Sequence, residues 1–300
     1  MNRCKMVPLL LVALIATACN DNVSSHFFAS AIDIGAGRRM YLECDGAGAP
    51  TVVLISGKGN RADTWNVNVV DPHKPEATVF REVARYTRVC AYDRPATEGI
   101  NREPSRSDPV SAPVTAKDGV ADLHALLSAA DLRGPYVLVG HSYGGLIARL
   151  YASTYPDEVA GIVLEDALSE GLYDSLTAAQ REVLEKINLV PEPVDTVRSF
   201  AQVISAPRVP TVPMVILTAD LQPITAQDVQ SGAFPSYVTV EFINALWSAQ
   251  IVAQDKLAKL FPGARHITNT NSHHYIHLEQ PQIVVDAIRE VVDAVHRARP

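Results

Sequence analysis

Residues 137–146 read Val-Leu-Val-Gly-His-Ser-Tyr-Gly-Gly-Leu, a short apolar strand turned sharply into the start of a helix. The turn has the form G-x-S-x-G, with Ser142 at its apex and Gly140 and Gly144 on either side. So tight a turn leaves no room for a Cβ at the flanking positions, and glycine occupies both. A serine held there projects its hydroxyl out of the backbone into a cleft, the arrangement of a nucleophile elbow. A chain that builds this turn needs a strand before it, a helix after it and a base within reach of the serine.

The rest of the chain repeats that alternation. Residues 51–55, Thr-Val-Val-Leu-Ile, form the continuous apolar run of a strand buried on both faces. Residues 88–93, 135–140, 159–166 and 212–220 read the same way, and 264–270 as a last strand. Residues 29–44 alternate around Gly35-Ala36-Gly37, the pattern of a hairpin. Helices are predicted over 76–86, 115–131, 143–155, 238–260 and 281–297; in the second, Val120, Leu123, Leu126 and Leu127 share one face. Residues 96–113 lack periodicity and read as a loop. Residues 167–208 break the alternation with helical stretches and with Pro191 and Pro193. The pattern predicts an α/β fold, a mostly parallel sheet with helices on both faces. Residues 167–208 then form a small helical cap over the C-terminal edge of the sheet, where such folds bind ligands.

The two ends of the chain differ in kind. Arg3 and Lys5 precede an apolar run over 6–18 that is too short to span a bilayer comfortably, and Ala16-Thr17-Ala18 is a small-residue cleavage site. Residues 1–18 therefore read as a signal peptide. Cys19 follows at once, and Ala-Thr-Ala-Cys resembles a bacterial lipoprotein box with Ala16 in place of leucine. The expectation is export, either anchored to a membrane through lipid on Cys19 or secreted after Ala18. Residues 19–28 read as a tether and 29–300 as the folded domain. Cys44 and Cys90 remain in that domain, where an oxidising compartment permits pairing. The net charge of −7, without basic runs, argues against nucleic acid as a partner.

The chain resembles the α/β-hydrolases. The residues that carry the resemblance are 51–59, 88–94, 140–145, Tyr155-Pro156-Asp157-Glu158-Val159 and Ser272-His273-His274-Tyr275. The resemblance implies an eight-stranded-type, mostly parallel sheet and a catalytic triad in the chain order Ser, acid, His. It also places the strand of Cys44 beside that of Cys90, which leaves open a disulfide between them or two buried free thiols. Ser142 takes the nucleophile position. His274 matches the base, with His273 standing where the family has glycine; His274 is preferred. Two carboxylates suit the acid. Asp220 closes the strand after the cap, the usual place, and is preferred; Asp166 closes the strand before the cap and is the alternative. Glu165 points to the other face and is a weaker candidate. The oxyanion donors implied are the backbone N–H groups of Tyr143 and Lys58, the latter in Ser56-Gly57-Lys58-Gly59.

The run His273-His274-x-x-His277 can be read as a metal site, but no carboxylate-bearing zinc motif accompanies it, and no metal or cofactor is expected. His141 is expected to pack beside the elbow. Asp93 and Arg94 end a strand near the same edge and could contact substrate, with a structural ion pair the preferred reading. Trp65, Tyr173 and Phe200 could line a substrate pocket or pack in the core. The activity implied is hydrolysis of a small-molecule carboxylic ester through an acyl-enzyme. Alternatives are an aminopeptidase of the proline-aminopeptidase type and a catalytically silent binding module on the same fold.

Overall fold

The computed structural model describes residues 27–69, 77–187 and 191–298. The segment read as a signal peptide and tether, up to residue 26 and including Cys19 and His26, lies outside the described residues, as does His73. Among the described residues no helix is long and apolar enough to cross a membrane.

Strands β1 (Phe28–Asp33) and β2 (Arg39–Asp45) form the expected hairpin, and β3 (Val52–Ile55) follows. Next come α1 (Val79–Ala84), β4 (Val89–Tyr92), α2 (Ala116–Ala129), β5 (Tyr136–His141), α3 (Tyr143–Thr154) and β6 (Val159–Glu165). After β6 the chain forms a 3-10 turn over Glu170–Ser175 and helices α4 (Ala178–Ile187) and α5 (Thr196–Ser205). It returns through β7 (Met214–Leu217), α6 (Ala226–Gln230), α7 (Val240–Leu260), β8 (Arg265–Ile267), α8 (Ile276–Glu279) and α9 (Pro281–Ala298). Eight strands form one sheet in the order β1-β2-β4-β3-β5-β6-β7-β8. The β1–β2 and β2–β4 pairs are antiparallel and all others parallel.

Parallel strands buried on both faces divide their side chains between two cores. Val52, Leu54, Val137 and Val139 face one core with α1 and α9. Val53, Ile55 and Leu138 face the other with α2 and α3. Helix α9 shows how local pattern becomes packing. Val284, Val285, Ile288, Val291, Val292 and Val295 recur at helical spacing and are all buried against the sheet. Each such aliphatic side chain contributes about 1.5–3 kcal/mol relative to exposure.

Cys44 and Cys90 stand opposite each other on β2 and β4, with Cα atoms 4.0 Å apart, and form a disulfide. Their sequence separation of 46 means that the bond restricts the unfolded chain by about 4 kcal/mol in the loop-entropy picture.

The cap is more than the insert over 167–208. Leu172, Leu176 and Leu184 of that insert bury themselves with Val238, Phe242, Ile243, Ala249 and Ala253, which belong to α7 and the residues just before it. The segment between β7 and β8 therefore shares the cap's apolar cluster. The sequence expectation confined the cap to one insertion, because a contact between two insertions is not visible in either one.

Candidate active site

The elbow is built as its glycines require. A Cβ on Gly140 would stand 2.6 Å from the Gly144 carbonyl oxygen, and one on Gly144 would run into the Ile55 carbonyl. Ser142 itself has φ 51° and ψ −121°, a backbone conformation that costs a side-chain-bearing residue about 1–3 kcal/mol. Surrounding bonds hold it there. Its N–H donates to the Glu165 carbonyl at 3.0 Å, and its carbonyl accepts from Gly145 and Leu168, each at 2.9 Å. Ser142 caps the N-terminus of α3, and the Tyr143 N–H is among those that a helix cannot pair internally.

Ser142, Asp166 and His274 line one cavity of about 210 Å³. Asp166 Oδ2 lies 2.5 Å from His274 Nδ1, and its Oδ1 accepts from the Ala219 N–H at 3.3 Å. Asp166 is 2% exposed, so little water competes for its carboxylate. It too holds a positive φ, 37°. A carboxylate at Nδ1 takes the imidazole proton to that side and leaves the Nε2 lone pair for an incoming proton. Burial alone would lower the His274 pKa, but the hydrogen bond and charge of Asp166 outweigh it and raise the value above 6.5.

The preference for Asp220 is thus corrected. Asp220 is exposed, and its Oδ1 accepts from the Ser272 N–H at 3.0 Å and the Thr270 hydroxyl at 3.3 Å. It fixes the turn before the histidine loop. Strands β6 and β7 are neighbours, so both carboxylates end at the same edge; only Asp166 meets the imidazole.

The three histidines of the 273–277 run are dispersed. His273 Nδ1 faces Glu279 Oε2 at 3.0 Å. His277 is buried, with Nδ1 2.7 Å from Glu165 Oε1 and Nε2 3.1 Å from the Thr64 hydroxyl. His141, Glu165 and His277 form a buried cluster whose donor atoms lie within 4.8 Å of one another. Both ring nitrogens of His277 are already committed, and His141 Nε2 donates to the His274 carbonyl at 2.9 Å. Only His141 Nδ1 and Glu165 Oε2 remain without a bond, fewer than the three or four ligands of a zinc site. Burial, and then the neighbouring His274 and His277, push the His141 pKa well below 6.5, so it stays neutral. The cluster's visible work is to tie the loop of His274 to the strand ends beneath it.

The loop after β3 lies against the elbow. A Cβ on Gly57 would stand 3.3 Å from Ser142 Cβ, which places the backbone of this loop beside Ser142. Arg94 and Asp93 do not pair with each other. Asp93 binds Arg106, with Nε 2.7 Å away, and Arg94 binds Glu192 from the cap at 2.8 Å. Glu192 carried no signal in the sequence beyond a single carboxylate between two prolines. Trp65 is fully buried; its indole N–H donates to the Ser56 hydroxyl at 3.0 Å and its ring lies on His277. Tyr173 and Phe200 pack edge to face within the cap and do not line the cavity.

The cavity wall is mainly apolar: Leu168, Leu172, Leu184, Ile224, Ile243, Leu246 and Trp247, with Gln222 and Gln250. Most of it comes from the β6–β7 insert and from the segment between β7 and β8. In the sequence, residues 238–260 show a helix, and Phe242, Ile243, Leu246, Trp247 and Ile251 place apolar side chains on more than one of its faces, the one signal there of a cavity wall.

A serine elbow facing a carboxylate-paired histidine, at the C-terminal edge of a capped parallel sheet, is the architecture of an α/β hydrolase. The chain belongs to the alpha/beta hydrolase family, whose family model matches residues 52–287. Among curated proteins it is similar to the uncharacterized protein YqjL of Bacillus subtilis, 33% identical over 121 residues, 40% of this chain and 41% of that protein. It is also similar to Lipase LipV of Mycobacterium tuberculosis, 47% identical over 58 residues, 19% of this chain and 22% of that protein. The chain spans between 22% and 41% of the length of the curated relatives it matches. A thermophilic esterase from Thermogutta terrifontis shares the fold, with a TM-score of 0.52 at 19% identity, over 90% of this chain and 99% of that one.

Proposed function

We propose that this hydrolase cleaves carboxylic esters carrying an apolar group, through an acyl-enzyme on Ser142. The observation that carries the reading is the convergence of Ser142, His274 and Asp166 on one apolar cavity. His274 Nε2 takes the Ser142 proton as Oγ attacks the ester carbonyl. The oxyanion that forms is held by the N–H groups of Tyr143 and Lys58. The tetrahedral species collapses, the C–O bond to the alcohol breaks, and His274 returns the proton to the leaving oxygen. Water, activated by the same imidazole, then releases the acid and restores Ser142.

The cavity supports an ester with a hydrocarbon part of moderate size. At about 210 Å³ it exceeds the roughly 150 Å³ in which an engineered cavity holds benzene, so a group of about six to eight carbons fits. An aminopeptidase needs an acidic group for the substrate's free amine. Among the described residues the only carboxylate lining the cavity is Asp166, which is engaged with His274.

Two measurements test this. A fluorophosphonate probe should label Ser142 in the folded protein; absence of labelling favours the silent module. A panel of p-nitrophenyl esters and amino-acid anilides should give its highest kcat/KM with hexanoate or octanoate, and preference for an anilide overturns the ester reading. Export with a lipid on Cys19 is part of the same proposal, and the Cys44–Cys90 disulfide supports an oxidising compartment. Incorporation of labelled palmitate into the wild type but not into Cys19→Ser tests it.

A further inference from the structure

We infer that Arg94 and Glu192 are positioning residues that aim the N–H groups of the 56–59 loop at the carbonyl attacked by Ser142. This rests on the ester-hydrolase reading above and adds to it two residues from outside the triad.

Arg94 follows β4 and Glu192 lies in the cap between α4 and α5, yet they meet as a buried two-pronged pair. Nε donates to Oε1 at 2.8 Å and Nη2 to Oε2 at 2.9 Å. The guanidinium's remaining reach is spent on backbone. Nη1 donates to the Ser56 carbonyl at 2.8 Å and Nη2 to the Gly57 carbonyl at 2.7 Å. Glu192 Oε2 also accepts from the Gly59 N–H at 2.7 Å. Three consecutive peptide units of the loop, 56–57, 57–58 and 58–59, are thus pinned by one ion pair.

The consequence follows from peptide geometry. A trans peptide is planar, and its C=O and N–H point in opposite directions. With the Ser56 and Gly57 carbonyls both drawn to Arg94, the N–H groups of Gly57 and Lys58 are turned away from it. The loop lies against the elbow, since a Cβ on Gly57 would stand 3.3 Å from Ser142 Cβ. Rotating either carbonyl off Arg94 would rotate the corresponding N–H off its target.

The attraction between the two charges by itself gives little reason for such a pair. A buried ion pair barely repays its desolvation, and apolar residues of similar volume often replace it at no loss. Here the cap segment has independent anchors, because the Val114 N–H donates to Pro193 and the Asp195 N–H to Val114, at 3.0 and 2.9 Å. The ion pair offers what an apolar pair cannot, a fixed orientation of two carbonyls.

The test is the double variant Arg94→Met/Glu192→Met beside the isosteric Glu192→Gln, each assayed for kcat, KM and thermal unfolding on p-nitrophenyl hexanoate. An oxyanion contact develops only in the transition state, so kcat should fall about 100-fold in the double variant. KM should stay near the wild type, while the melting temperature should fall, since the buried Ser56 and Gly57 carbonyls and the Gly59 N–H lose their partners. Glu192→Gln should lose about tenfold in kcat, with KM unchanged, since a neutral amide holds Arg94 less firmly. If the double variant does not fold, Glu192→Gln alone decides. A folded variant with wild-type kcat, in a protein whose Ser142 takes the fluorophosphonate, overturns this inference and leaves the hydrolase standing. A wild type that takes no probe overturns both.

Discussion

Asp166 Oδ2 stands 2.5 Å from His274 Nδ1 across 108 residues of sequence, while Asp220, on the neighbouring strand end, binds the backbone of Ser272. The two carboxylates end adjacent parallel strands and differ in what their environments ask of them. Asp166 is buried beneath the imidazole; Asp220 is exposed and closes a turn. Asp166→Asn should lower kcat by roughly 10³–10⁴-fold, because an amide at Nδ1 favours the wrong tautomer. Asp220→Asn should cost less than tenfold in kcat and show mainly as a lower melting temperature. Steady-state kinetics of both variants on one ester checks this, and a crippled Asp220→Asn beside an active Asp166→Asn reverses the assignment.

The same contact sets a pH dependence. His274 works as a base only when neutral, and its pKa is raised above 6.5: burial lowers it, and the Asp166 hydrogen bond and charge more than compensate. The acid limb of kcat/KM should therefore lie above the ordinary histidine value. In Asp166→Asn the larger raising influences are gone, and burial outweighs the weaker pull of Glu165 that remains, so the limb should move down even as the maximum rate collapses. The sign for stability is opposite to that for activity. A raised folded-state pKa means that protonation favours the fold. The contribution is full below the unfolded value and is lost as pH rises through the His274 pKa. Rate profiles and melting temperatures between pH 5 and about 9 should then slope in opposite directions where His274 titrates.

What the sequence revealed and what it concealed divide along one line. The elbow was legible because sterics fix it locally: Gly140 and Gly144 tolerate no side chain, whatever the rest of the protein does. The strands were legible from β-branched runs, and His274 from its place after the last strand. The acid was not decided. Asp166 and Asp220 occupy equivalent strand ends, and the choice depends on where Ser272 and Ala219 put their N–H groups. Glu192 was invisible for the same reason, since its partner Arg94 is 98 residues away. The cavity wall escaped notice because it forms only where two insertions pack together.

Ser142 tests whether backbone strain is stored at the nucleophile. Ser142→Ala keeps the Cβ and should abolish ester turnover with little change in melting temperature. Ser142→Gly should be equally inactive but more stable. Glycine accepts a φ of 51° without the roughly 1–3 kcal/mol penalty, offset in part by about 0.4–1 kcal/mol of extra freedom in the unfolded chain. Denaturant unfolding of the two variants side by side reads the difference. Equal stability would mean that the bonds from Glu165, Gly145 and Leu168 have already relaxed the turn.

Gly57 tests the proposed oxyanion role of the 56–59 loop independently of Arg94. A methyl group there would stand 2.6 Å from His141 Nδ1 and 3.3 Å from Ser142 Cβ. His141 has nowhere to retreat. It is fully buried, bonded through Nε2 to the His274 carbonyl, and packed with ring centroids 4.7 Å from His274 and 4.8 Å from His277. The loop must yield instead and carry the Lys58 N–H outward. Displacements of an ångström at a reacting centre can cost about 100-fold in rate. Gly57→Ala should therefore lose on the order of 10²-fold in kcat with KM little changed, at a stability cost of about 1–3 kcal/mol from overpacking. Kinetics and thermal unfolding of this variant, measured together, separate the two effects. A folded Gly57→Ala with wild-type kcat would place the second oxyanion donor somewhere other than this loop.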